Sequence, residues 1–231
     1  MRQVFIFTFF LFISATSLAQ NEREIIPVDW DGVQKVAENA PQRIKDLVSR
    51  LSANEIDTTM TWNERILAYY GQSYFTPMTE LVEGRDLDKL YNEKKYEECL
   101  AGAKELLKKN PVSLKALSNA VFSITRMLKD STNTVSVTIE EGQAYYNRMM
   151  MILNTIATTG DGTKENPFYV TAVSDEYLFL RYYLDIWEIE SQALVGHCDL
   201  LELKGKSDYY DRPQIYFEIT RVLEIERGLL K

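Results

Sequence analysis

His197 is the only histidine of the chain. That excludes every site that needs two imidazoles, including zinc centres of the His-x-x-x-His kind. A Ser-His-Asp triad has only His197 to draw on, with Asp199 two residues along on the same face of a strand. No Gly-x-Ser-x-Gly elbow supplies the nucleophile. Cys198 adjoins His197, but neighbours on a strand point to opposite faces, which parts the thiol from the imidazole. The sequence therefore assigns no catalytic residue, no metal and no cofactor.

Four other groups carry chemistry in their residue types. Gly160-Asp161-Gly162 offers backbone N–H groups to an anion, or the Asp161 carboxylate to calcium. Neither the Walker loop nor the EF-hand spacing accompanies it, so it reads as a turn from helix to strand. Asp175 and Glu176 suggest paired carboxylates for acid–base work. Neighbours on a helix point about 100° apart, so the two read instead as first-turn acids facing the positive end of a helix dipole. A glycosidase pair would have to combine carboxylates from distant segments. Tyr69, Tyr70, Tyr74 and Phe75 crowd around Gly71 and have the composition of a sugar or peptide platform, or of a core. The residues expected to face a ligand or partner are Tyr69, Tyr70, Tyr74, Asp161 and Tyr177. The Met149-Met150-Met151 run reads as core filler. Cys99 and Cys198 read as free thiols; a bridge would need an oxidising compartment and Cα atoms within about 7 Å.

Helices must position the first half of these residues. Pro41 suits a first helical turn, followed by Ile44, Leu47, Val48 and Leu51 at helical spacing. Thr61 with Glu64 forms a capping box for a helix ending at Gly71. Leu87, Leu90 and Tyr91 mark another helix. A stripe from Tyr96 to Leu107 ends at Asn110-Pro111, and a further stripe runs from Leu114 to Leu128. Residues 129–137 are a polar loop. Thr138 with Glu141 forms another capping box, opening a helix that carries Tyr145, Met149, Ile152, Leu153 and Ile156. Beyond Gly162, Pro167 to Val173 reads as a strand. Ser174 caps a helix expected to run through Tyr177 to Leu194 and stop at Gly196. His197 to Lys204 and Ile215 to Ile219 are two more strands, joined by a long hairpin loop. A short helix follows Thr220.

The start of the chain reads as an export signal. Arg2 precedes an apolar run from Val4 to Ile13, interrupted only by Thr8, and Ser17-Leu18-Ala19 places the cut after Ala19. The run is too short to span a bilayer, and Gln20, not Cys, follows the cut. The expected product is periplasmic or secreted, not membrane-spanning, with residues 20–231 as one domain: a helical part over 20–158 and a mixed part over 159–231. The chain carries 26 basic and 34 acidic residues, and losing Arg2 makes the mature form one charge more acidic. That argues against nucleic acid and anionic membrane as partners.

Two resemblances follow from particular residues. Tyr96-Glu97-Glu98-Cys99-Leu100, Leu106-Leu107, Asn110-Pro111 and Leu117-Ser118-Asn119-Ala120 make residues 94–128 similar to a tetratricopeptide repeat, which implies two packed helices around a Pro-marked turn. Ala103 stands where that repeat expects a large aromatic. Over the mature chain, Tyr69-Tyr70-Gly71 with Tyr74 and Pro77, Gly160-Asp161-Gly162 with Pro167-Phe168-Tyr169-Val170 and Asp175-Glu176-Tyr177, and Ile215-Tyr216-Phe217 occur in order. In this it resembles an exported Bacteroidetes family of unknown function, of the domain of unknown function 4919 type. That resemblance implies helical hairpins, a small C-terminal sheet and no particular activity.

The expected fold is α+β, mostly α: tetratricopeptide-like hairpins followed by a three-stranded, mainly antiparallel sheet. The expected function is non-catalytic binding of a peptide, protein, glycan or other envelope component. The alternatives are a carboxylate-dependent glycan or peptidoglycan hydrolase and a structural envelope component.

Overall fold

The computed structural model describes residues 24–76, 79–130 and 137–229. The expected export signal and its expected cut after Ala19, most of the expected polar loop at 129–137, and Pro77 lie outside the described residues. Among the described residues the elements run α1 (Trp30–Asn39), α2 (Pro41–Leu51), α3 (Trp62–Gln72), α4 (Thr79–Asn92), α5 (Tyr96–Lys109), α6 (Leu114–Lys129), α7 (Ile139–Thr158), β1 (Phe168–Tyr169), α8 (Val173–Tyr182), β2 (Ile189–Val195), β3 (Cys198–Leu203), β4 (Gln214–Glu218) and α9 (Thr220–Leu229). No helix among them is long and apolar enough to cross a membrane.

The helical half forms where stop and start signals agree with apolar stripes. Pro41 opens α2, where its missing N–H is not needed. Thr61 and Glu64 close the full capping box of α3. Thr138 caps α7 through the Glu141 N–H, while the Glu141 carboxylate pairs with Lys104 at 2.7 Å instead of returning to the cap. Helix α3 continues one residue past Gly71. A Cβ on Gly71 would lie 2.8 Å from Ile44 Cδ1, so this glycine lets α2 and α3 approach closely. Helices α5 and α6 pack as a hairpin around Asn110-Pro111, with Cys99, Ala103, Leu106, Leu114, Leu117 and Ile124 buried in or beside their seam.

The mixed half departs from expectation. The sheet has four strands, not three, in the order β1-β4-β3-β2. β1 is parallel to β4, and the other two pairings are antiparallel. The extra strand, β2, lies inside the stretch expected to continue α8. That helix ends at Tyr182, and Asp185 then adopts φ 54°, a left-handed conformation that turns the chain away. Gly196, expected to stop a helix, is the first central residue of the β2–β3 hairpin turn, with φ 68°. Type II′ hairpins require that conformation at that place. Strand β2 is exposed along nearly its whole length, so it lacks the inward–outward alternation that would mark a strand in sequence. Helix α8 begins at Val173 with no side-chain cap, so Ser174, expected as its cap, lies inside its first turn.

The apolar core is continuous from Val28 through Ile44, Tyr70, Leu117, Leu153 and Phe179 to Phe217 and Val222. Met149 is buried within it, and Met150 and Met151 pack against it, as core filler should. Helix α9 is pinned onto the end of α3 by Arg221. Its guanidinium donates to Ser73 Oγ at 3.1 Å and to the Ser73 carbonyl at 3.0 Å, and sits 3.9 Å from the Tyr74 ring centre. These are charge-assisted and cation–π contacts of a largely buried side chain. Arg221→Ala is expected to lower stability by about 1–3 kcal/mol and to speed amide exchange in α9, leaving α5 and α6 protected. Unchanged exchange in α9 would show that Arg221 does not hold it.

Candidate functional site

A pocket of about 180 Å³ opens where the helices meet the start of the mixed half. Tyr69 and Gln72 of α3 line it with Ser73 and Thr76, Gly84, Arg85 and Asp88 of α4, and Asn110 and Val112 of the α5–α6 turn. Leu114 and Lys115 of α6, Thr171 to Asp175, and Val222 and Ile225 of α9 complete the wall.

Its chemistry centres on Asp175. This carboxylate is 2% exposed. Its Oδ2 accepts from the Tyr69 hydroxyl at 2.6 Å and from the Thr171 hydroxyl at 3.2 Å. Burial pushes its pKa up to about 6, against the opposing pull of those two hydroxyls. Burial, reinforced by the Asp175 charge, holds the Tyr69 phenol protonated well above its ordinary range. Tyr69 is therefore a fixed donor. Elsewhere on the wall Lys115 forms an ion pair with Asp88, and Asn119 donates to the same carboxylate at 3.4 Å. The wall thus combines one buried acid held by hydroxyls, one neutralised ion pair and several aliphatic side chains.

The five residues expected to face a ligand do not converge. Tyr69 lines the pocket. Tyr70 is fully buried in the core, edge-on to Trp30 with ring centres 5.5 Å apart, and its hydroxyl donates to the Tyr169 carbonyl at 2.8 Å. Tyr74 supports Arg221. Tyr177 donates to Gln192 Oε1 at 2.6 Å on β2. Asp161 belongs to a turn braced from outside by Arg212: its Oδ1 accepts from the N–H and hydroxyl of Thr163 at 3.0 and 2.6 Å, and its Oδ2 pairs with Arg212 at 3.3 Å. The N–H groups of Asp161 and Gly162 both donate to the Asn166 carbonyl, at 2.9 and 3.0 Å. They are therefore committed to the turn from helix to strand expected at this motif.

Asp175 and Glu176 do sit in the first turn of α8, but burial sets their properties more than the helix end does. Glu176 is 0% exposed, no N–H or hydroxyl reaches its oxygens, and its one polar neighbour is the Asp199 carboxylate, to which it donates a hydrogen bond when protonated. Burial, then the charge of Asp199 and a hydrogen bond to it, then the charge of Asp175, push its pKa up to about 9. Asp199 in turn accepts from Gln192 Nε2 at 2.7 Å. Only Asp175 of the adjacent pair reaches the pocket. His197 lies exposed in the β2–β3 turn rather than on a strand, so it shares no strand face with Asp199. Cys99 is buried and Cys198 partly buried, and both are free thiols.

Gln72, Ser73, Asp88, Lys115 and Thr171 went unread as site residues. One signal was present: Lys115, Asn119 and Ser123, spaced four apart on α6, form a polar stripe beside the apolar one.

Fold and site together define a mostly helical α+β protein with a small, partly apolar pocket built around one buried carboxylate. The chain belongs to the family described as Domain of unknown function (DUF4919), whose model matches residues 34–227. No curated protein and no solved structure matches it significantly.

Proposed function

We propose that this protein is an exported, non-catalytic binding module whose ligand enters the pocket beside Asp175. In this reading residues 1–19 are removed after Ala19, residues 20–231 act as one unit in the periplasm or outside the cell, and the α5–α6 pair serves as a tetratricopeptide-like support for the pocket. The observation that carries the reading is the pocket itself: its charged groups are Asp175, held by two hydroxyls, a paired Lys115–Asp88, and Arg85. Such a wall orients and holds a guest. Its volume is comparable to the roughly 150 Å³ cavities that take one benzene-sized molecule, so the guest is a small compound or a single side chain.

The test is a panel of millimolar alcohols, amines and carboxylates titrated into isotope-labelled protein. Amide shifts clustered at Tyr69, Ser73, Thr171 and Asp175 are expected, and filling the pocket with Val222→Trp should abolish them. Shifts elsewhere, or none at all, would sink the reading.

The hydrolase alternative draws on one observation. Asp175 is a carboxylate whose pKa is raised toward neutrality, as general acids require, and Asp88 lies on the same pocket wall. Turnover of fluorogenic glycosides or of peptidoglycan, lost in Asp175→Asn, would establish it. The binding reading expects no turnover.

A further inference from the structure

Resting on that reading of the pocket, we propose that the ligand presents a primary ammonium group on a short aliphatic stem, with the ammonium seated against Asp175. Asp175 is the buried charge on the wall, and its hydrogen-bond partners, Tyr69 and Thr171, are neutral. Among the described residues no Lys or Arg forms an ion pair with it: Lys115 is taken by Asp88, and Arg85, the other cation on the wall, is exposed to solvent. A carboxylate kept from water with no counterion is destabilised in its charged form. A cation entering the pocket removes that penalty, which makes this position selective for positive charge. An ammonium is a compact point charge that one carboxylate can face, whereas a guanidinium needs a broad planar fork of acceptors.

The rest of the wall sets the stem. Val112, Leu114, Ala172, Val222 and Ile225 are aliphatic, and each methylene they bury strengthens binding about fourfold. A metal ion fits less well: among the described residues no group of three or more His, Cys, Asp or Glu side chains could hold one.

The experiment compares n-butylamine with 1-butanol, matched in size and differing in charge, by chemical-shift titration of the full protein. A short blocked peptide containing one lysine, against its norleucine counterpart, separates a free amine from a lysine side chain as the source of the group. Butylamine or the lysine peptide is expected to bind at least tenfold more tightly than its uncharged partner, and Asp175→Asn to erase that preference. Equal binding of charged and uncharged partners would overturn the inference, as would a preference that survives Asp175→Asn. If other fragments of the panel occupy the pocket while neither amine does, the ammonium assignment fails and the pocket reading stands. If nothing occupies the pocket, both fail.

Discussion

Glu176→Gln is expected to stabilise the protein at neutral and alkaline pH, by a margin that grows with pH. The folded-state pKa of Glu176 is pushed up to about 9 from an ordinary 4.5, with burial as the main cause. The native state therefore holds a proton that the unfolded chain has released above its own, lower pKa. Stability from this group is fully present below about pH 4.5 and is lost as pH rises toward 9. Glutamine keeps the shape and stays neutral throughout, so the variant escapes that loss. The gap between variant and parent should widen by up to about 1.4 kcal/mol per pH unit, reaching on the order of 4 kcal/mol between pH 5 and 8. That is a large share of the stability of an ordinary domain. Urea unfolding of both proteins across this range measures it directly. Parallel pH profiles would show that Glu176 is ionised in the native state and that water reaches it.

The second large effect is expected at Gly160. A Cβ there would lie 2.1 Å from the Pro167 carbonyl oxygen and 2.6 Å from that of Asn166. Both are backbone atoms and cannot swing aside as a side-chain tip would. The segment they belong to is tied back on itself, since Asn166 accepts from Asp161 and Gly162 while the Tyr169 N–H donates to Thr159 Oγ1 at 3.0 Å. Gly162, at φ 77°, passes the chain on to β4 through its carbonyl, which accepts from Tyr216 at 3.0 Å. Gly160→Ala should thus cost about 3 kcal/mol or more by forcing the α7–β1 connection open. Asp161→Ala, which removes only the bonds to Thr163 and Arg212, should cost about 1–2 kcal/mol. Thermal unfolding of the two variants ranks them. A Gly160→Ala protein as stable as the parent would mean that this turn is not rigid and that its N–H groups are free for other work.

The tie between these sites and the sequence is uneven, for a physical reason. The ends of α2, α3 and α5 were legible because Pro41, Thr61 with Glu64, and Asn110-Pro111 act within one turn of where they stand. The apolar stripes of α5 and α6 were legible because a helix repeats its inner face at fixed spacing. The Gly160-Asp161-Gly162 turn was legible because its bonds close within the segment itself. Strand β2 was not legible. Exposed on both faces, it gains its structure from pairing with β3, which leaves no periodic mark along its own residues.

The pocket belongs to the same second class. Tyr69 and Asp175 are both visible in the sequence as chemically able residues, yet they are 106 positions apart and meet at 2.6 Å only because α3 and α8 pack against one core. Adjacent Asp175 and Glu176 look alike as residues. Packing sends one to a pocket wall and seals the other away against the Asp199 carboxylate. By itself the sequence determined a mostly helical α+β chain, its main helix boundaries and the absence of any two-histidine site, because those follow from composition and from forces acting within a few residues. Which acids are buried, which of them reach the pocket and what surrounds them were decided by tertiary packing, because desolvation and hydrogen bonding depend on neighbours that the chain brings together only when it folds.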